Sequence, residues 1–320
     1  MNPTHEIVKG FLFTGPRKTF HTRSMDKENR ATRTNRASRA GRRSALVLFL
    51  GAALGGFMFL EAALAPKADP WPRWQAFEAA STAVIDHGPW DQFLKKYLKP
   101  GPHGVNRVAY GRVTGDDRQA LYQYLVALRL TPIERFNRAE QRAYWINLYN
   151  ALTLRLVLEL YPVNSIKDID ISSNPLGGVF SGPWDRKLLD VGGEPLSLND
   201  IEHRILRPIW RDPRIHYAVN CAAVGCPNLQ PLAFTGANTE ALLDHAAQNY
   251  VNSPRGARVE DGRLIVSKIY AWFVDDFGGS EEGVLAHLRH LAEPPLARAL
   301  EGRTSIDDYE YDWGLNDSRS

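Results

Sequence analysis

Two cysteines stand five residues apart in the segment His216-Tyr-Ala-Val-Asn-Cys221-Ala-Ala-Val-Gly-Cys226-Pro-Asn-Leu-Gln-Pro231, and the 320-residue chain has no others. Three chemistries use such a set. A thiolate from Cys221 or Cys226 attacks a carbonyl if a base lies within hydrogen-bond reach, and His216 is the nearest base in sequence. In an oxidising compartment, two cysteines flanking a turn close a disulfide instead. With His216 and one of Glu202 or His203, the same sulfurs offer ligand types that suit zinc, though Cys-x4-Cys spacing alone is a weak metal signal.

Regular structure does not bring His216 to Cys221. On a helix five residues turn through about 140°, which puts His216 on the face of Asn220 instead, and on a strand the two side chains point to opposite sides. A thiol site therefore needs a bend between them, or a base from the preceding helix, where Glu202 and His203 are the candidates. Those two lie about 100° apart on an α-helix, so only one is expected to face the site. Gly225-Cys226-Pro227 forces a turn, because proline lacks the amide donor and biases the residue before it away from helical geometry.

The elements that must position these groups are mostly helical. Amphipathic spacing predicts helices over Trp74 to Asp86 and Trp90 to Leu98, and Val105 to Val113 alternates like a strand. A helix from Thr114 to about Leu130 precedes the longest one, Arg138 to Tyr161, which Pro162 stops. Trp145, Leu148, Leu152, Leu156 and Leu160 recur on its core side, and Asn147 and Asn150 among them need hydrogen-bond partners. They either tie down loop backbone or orient a catalytic group. Residues 162 to 196 form a long excursion that ends in a hairpin turning at Gly192-Gly193. Ser197 caps the next helix, with Asp200 three residues on. A helix from Thr239 to Val251, a strand pair Ala257 to Val259 and Arg263 to Val266, and helices Lys268 to Phe273 and Glu281 to Leu291 complete an α+β, helix-dominated single domain with a small antiparallel sheet. Lys268, Asp275 and Asp276 read as an ion-pair network at helix ends, and Tyr311-Asp-Trp313 as an aromatic clamp on the core.

Six blocks carry a family likeness: Ala143-Tyr-Trp-Ile-Asn-Leu-Tyr-Asn-Ala-Leu152, Asp200-Ile-Glu-His203, Arg214 to Cys221, Gly225-Cys-Pro227, Asp275-Asp-Phe277 and Tyr311-Asp-Trp-Gly-Leu-Asn316. In this order, from about residue 115 to 316, they resemble the domain of unknown function 547. The resemblance implies a domain identity and an export-side location, and it brings no reaction or substrate.

Charge distribution bears on location too. Residues 1 to 44 hold 11 Lys/Arg against 3 acids, a local +8, while the rest holds 28 against 33, or −5. The body is thus mildly acidic, and nucleic acid is excluded as an expected partner. The basic leader lacks apolar periodicity and reads as disordered. Ser44 to Leu60 carries no charge, and the apolar run over residues 45 to 65 reaches the ~20 residues that cross a bilayer as a helix. It is either an uncleaved anchor or a signal peptide cut after Ala63-Leu-Ala65; Met25 is an alternative start. In both cases the basic leader stays cytoplasmic and the domain from residue 74, after a Pro-rich spacer at 66 to 73, faces the periplasm or exterior. The anchored form is single-pass in the inner membrane, and the cleaved form is secreted to the periplasm. The expected partner is a cell-envelope molecule or an exported protein. No cofactor motif, phosphate loop or serine elbow is present. Two functions stay open: a thiol-dependent hydrolase or acyl-transfer enzyme using Cys221 or Cys226 with a histidine base, or a membrane-tethered binding or scaffold module with a structural disulfide.

Overall fold

Buried backbone amides must be paired, and in this protein much of that pairing is done by side chains of one central helix. The computed structural model describes residues 65–169 and 182–319. The leader and nearly all of the expected membrane segment lie outside them. Among the described residues, no helix is long and apolar enough to cross a membrane.

Helix α1 (Gly88–Tyr97) is followed by a short antiparallel ribbon of β1 (Leu98–Pro100) and β2 (Asn106–Val108). Helix α2 (Gly115–Leu130) starts where Thr114 Oγ1 accepts the Asp117 amide at 3.2 Å. Helix α3 (Arg138–Leu160) starts where Asn137 accepts the Glu140 amide at 3.0 Å and ends just before Pro162. It is buried on nearly every side, so its polar residues bond inward rather than face water. Leu160 departs from the expected stripe, being 44% exposed at the frayed end.

A ribbon of β3 (Leu189–Val191) and β4 (Glu194–Leu196) turns at Gly192-Gly193, where both φ values are positive as such a hairpin requires. Next come a π-helical segment, Asp200–Leu206, and the short helices α4 (Arg207–Trp210) and α5 (Ile215–Ala218). Helix α6 (Thr239–Val251) leads to β5 (Ala257–Glu260) and β6 (Arg263–Ser267). Helices α7 (Ile269–Trp272), α8 (Glu281–Leu291) and α9 (Pro294–Leu300) precede β7 (Asp308–Glu310). Two apolar cores result. One surrounds α3, and the other lies between α6, α8 and the three-stranded sheet.

Three expectations are corrected. The sheet is mixed rather than antiparallel, because β7 lies parallel to β6 with Val266 opposite Tyr309. Trp74 to Asp86 is not a helix. Only Pro72–Gln75 makes a 3-10 turn, and Phe77 and Val84 are exposed, so no apolar stripe exists to bury. Its backbone bonds to the start of α3 instead: Gln141 Nε2 donates to Ala76 O at 2.9 Å and Asn137 Nδ2 to Ser81 O at 2.8 Å. The alternating run from Val105 to Val113 is a strand only as far as Val108, then a 3-10 turn at Tyr110–Arg112.

Burial sets the pH response. His87, with Nδ1 2.7 Å from the Tyr124 hydroxyl, is lowered to about 4 by desolvation, and His203 is lowered to about 4 for the same leading reason. Both are neutral in the native state and protonate near 6.5 in the unfolded chain, so the unfolded state binds more protons between those values. Their contribution is intact above about pH 6.5 and shrinks as pH falls toward 4, by up to roughly 1.4 kcal/mol per pH unit for each histidine. Urea midpoints should fall steadily from about pH 7 to about pH 4.5, less steeply in His87→Gln. A flat profile through that window contradicts this assignment.

Candidate functional site

The segment from His216 to Cys226 bends between its histidine and its first cysteine. Helix α5 stops at Ala218, Val219 is extended with φ −93° and ψ 129°, and Ala222 sits in the left-handed region at φ 63°. His216 and Cys221 consequently line the same cavity. Cys221 and Cys226 are joined as a disulfide with their Cα atoms 6.2 Å apart. The Cys221 amide donates to Cys226 Sγ at 2.9 Å, and the Tyr311 hydroxyl lies 3.0 Å from Cys221 Sγ.

Several separate elements fix this loop. From α3, Asn150 Oδ1 accepts the Asn220 amide at 2.8 Å while its Nδ2 donates to Ala218 O at 2.9 Å. Asn147 ties Phe234 through both its backbone groups in the same way. Asn220 itself turns into the loop, donating to Pro227 O at 2.7 Å and accepting the Ala222 amide at 2.9 Å, so it braces the turn and does not line the cavity. Arg255 Nη1 reaches Cys226 O at 2.7 Å and Val224 O at 3.0 Å, and Tyr250 donates to Gly225 O at 2.7 Å. The C-terminal segment docks on the other side: Val224 N bonds Gly314 O at 2.7 Å, Gly225 N bonds Asp312 O at 2.8 Å and Asn316 N bonds Ala222 O at 2.9 Å. Tyr311 is thereby held over the sulfur.

The second wall comes from the π-helical segment. Ser197 and Asp200 bond reciprocally at its start, at 3.1 and 2.8 Å. Glu202 and His203 both line the cavity, where α-helical spacing allows one. The wider π winding brings adjacent residues nearer to a common face, a device frequent at functional sites.

Behind the cavity lies a buried charge cluster. His216 Nε2 donates to Asp276 Oδ2 at 2.6 Å, and Nδ1 is 3.6 Å from Glu202 Oε1. Arg207 Nε donates to the same Asp276 oxygen at 2.5 Å, while its Nη1 donates to His203 Nδ1 at 2.9 Å. Arginine cannot accept, so Nδ1 of His203 carries the lone pair, and the neutral ring bears its proton on Nε2. Among the described residues nothing bonds to that N–H. Burial opposes ionisation of Glu202, but His203, His216 and Arg207 outweigh it and hold the carboxyl at about 2. Asp276 is likewise held well below the usual carboxylate range, burial being overcome by the hydrogen bonds from His216 and Arg207. Burial pushes the Tyr149 phenol far up, with the Glu202 charge adding to it, so Tyr149 stays protonated and donates to that carboxylate.

The cavity holds about 80 Å³ and is walled by Trp184, Trp272, Phe273, Tyr311 and Trp313, with Tyr149, Glu202, His203, His216 and both cysteines. His216 stacks on Phe273 at 4.5 Å and 16°. Among the described residues no group of three His, Cys, Asp or Glu side chains is arranged to hold a metal ion, and the disulfide occupies both sulfurs that the zinc reading requires. Sequence reasoning missed Arg207 and the aromatic wall. It read Asp276 as a helix-end ion pair and Tyr311 as a core clamp, whereas both meet site residues directly. The Asp275-Asp-Phe277 and Tyr311-Asp-Trp313 blocks were the available signals.

Residues 133–251 match the model of a family described as protein of unknown function, DUF547, so the resemblance read from the sequence is shown over that stretch. No curated protein and no solved structure matches the chain. The matched stretch includes Glu202, His203, His216 and both cysteines, while Asp276, Tyr311 and Trp313 follow it.

Gly225 tests the docking of the two segments. A Cβ there would stand 2.7 Å from Asp312 N and 2.9 Å from Asp312 O, both backbone atoms. Gly225→Ala should cost about 1–3 kcal/mol in chemical denaturation and raise amide exchange over residues 311–316. Gly115→Ala, which meets nothing within 4 Å, is the control and should stay within about 0.5 kcal/mol. Equal behaviour of the two variants counts against the close approach.

Proposed function

We propose that this DUF547-like domain is a thiol-dependent acyl-transfer or hydrolytic enzyme whose nucleophile, Cys221, rests in a disulfide with Cys226. The observation that carries this reading is the shared cavity: the sulfurs form part of its wall, as do Glu202 and His203, and the Tyr311 hydroxyl lies beside Cys221. A purely structural cross-link has no need of a cavity, and it would contribute little here. Closing so short a loop is worth roughly 2 kcal/mol, in a domain that already buries two extended apolar clusters.

Reduction by a dithiol frees both sulfurs. Cys221 is the more exposed and takes the Tyr311 hydroxyl as a donor; Cys226 is buried beneath it, beside the Cys221 amide. Burial pushes the Tyr311 phenol well above its ordinary value, so it donates to a thiolate and does not compete for the charge. The thiolate adds to a substrate carbonyl and forms a carbon–sulfur bond, and the His203 Nε2–H is available to the resulting oxyanion. Collapse expels the leaving group, which takes a proton from water, and a second water or an amine then cleaves the thioester. Neither histidine presents a lone pair to sulfur in this arrangement: His216 is oriented toward Asp276 and Glu202, and His203 is a donor. The site therefore favours a thiolate stabilised by donors over a Cys-His dyad.

The disulfide itself favours a second reading, a binding or scaffold module with those cysteines locked. The basic leader and the uncharged Ser44 to Leu60 stretch support placing the domain at the cell envelope, tethered through residues 45 to 65 or released by cleavage, with an envelope molecule or exported protein as partner. Membrane fractionation with N-terminal sequencing of the mature chain separates anchor from signal.

After reduction, p-nitrophenyl acetate should leave an acetyl adduct on Cys221 by mass spectrometry. The adduct should be absent in Cys221→Ser and form several-fold more slowly in Tyr311→Phe. Acetylation no faster than that of free cysteine, or confined to Cys226, favours the binding module.

A further inference from the structure

The cavity places one carboxylate among six aromatic rings. Trp184, Trp272, Phe273, Tyr311, Trp313 and Tyr149 line the same cavity as Glu202. The rings do not stack in parallel. Trp184 and Trp313 cross at 64° with centroids 5.9 Å apart, and Tyr311 meets Trp272 and Trp313 at 55°, at 5.0 and 4.6 Å. The rings pack against one another, and each presents part of its surface to the cavity that they line.

The charges point to the class of ligand. Arg207, the fixed cation of the cluster, is committed to Asp276, His203 and the Pro66 carbonyl. Glu202 has an imidazole nitrogen of His216 3.6 Å away, and the Arg207 charge also favours its ionised form; that one guanidinium serves Asp276 as well, so two carboxylates share a single fixed cation. Aromatic faces attract a cation within about 6 Å of the centroid, most strongly when water is excluded. An anion would meet both the ring faces and the carboxylate. Trp313 already accepts one cation, since Lys167 Nζ lies 4.6 Å from its ring centre. The 80 Å³ of space accommodates about five to eight water-sized groups, enough for a trimethylammonium head or the end of a lysine chain and too little for a nucleotide.

We infer that the cavity is a cation cage that binds a small alkylammonium group against the aromatic surface of Trp272, Tyr311 and Trp313 and beside Glu202. This rests on the proposed thiol chemistry only in one respect, that the bound group would set a carbonyl of the same substrate beside Cys221. The substrate class is then a carbonyl compound bearing a quaternary or primary ammonium group.

Tryptophan fluorescence and calorimetric titration of the oxidised full chain test the cage. The probes are choline, its neutral carbon isostere dimethylbutanol, and n-butylammonium as a lysine mimic. At least one cation should bind tenfold or more tightly than dimethylbutanol, and Glu202→Gln should weaken that cation by about tenfold while leaving the neutral probe unchanged. Should Glu202→Gln fail to fold, Trp184→Leu should weaken the cation several-fold. Equal binding of cation and neutral isostere, or saturation by none of the probes, overturns the inference. Preference for choline or for n-butylammonium distinguishes a quaternary head from a lysine-type amine. Cation binding is read on the oxidised chain and the acetyl adduct on the reduced chain, so loss of the one and loss of the other are separate results.

Discussion

Everything at this site depends on satisfying the buried backbone between residues 218 and 226. Such a loop cannot leave its amides and carbonyls unpaired, and water does not reach most of them. Asn150 from α3, Arg255 and Tyr250 from the region of α6, and the strand-like stretch 312–316 each take a share of these groups. Parts of the chain some 70 residues upstream and 90 downstream thereby meet at the two cysteines. The cavity follows from that meeting: the pinned loop, Tyr311 and Trp313 from the C-terminal segment, and Glu202 and His203 from the π-helical segment all line it.

The buried charges obey a similar constraint. Two carboxylates held ionised in a desolvated place need donors, and they find them in one guanidinium, one imidazole and one phenol. Arg207 is the pivot, because its fork serves Asp276 and His203 together and so fixes which nitrogen of His203 carries the proton. A cluster this costly to bury is weak support for stability alone, and its position against an aromatic cavity gives it a chemical reading.

Much of the frame was legible in the sequence. The long helix over residues 138 to 160, the Ser197 cap with Asp200, the hairpin at Gly192-Gly193 and the strand pair after residue 257 follow from local rules of spacing and turn chemistry. The requirement of a bend or a second helix was also readable, and the structure meets both conditions. What stayed hidden depended on distant partners. Residues 74 to 86 read as an amphipathic helix, yet bonds from Asn137 and Gln141 hold the stretch irregular. The joint facing of Glu202 and His203 needs a π winding, which no residue type announces. Asp276 and Tyr311 belong to the site through contacts spanning 60 and 90 residues, and periodicity carries no such information.

The account stands on the sulfurs being a chemical pair more than a staple, and unfolding of the reduced protein addresses that directly. Urea denaturation of the oxidised and fully reduced chain, followed by tryptophan fluorescence and circular dichroism, compares the two states. The account predicts that the reduced domain keeps its native spectrum and one cooperative transition, weakened by roughly 2 kcal/mol for the opened loop. A reduced chain that loses the transition altogether contradicts it, because the cross-link would then hold the fold and no free thiol could act within it.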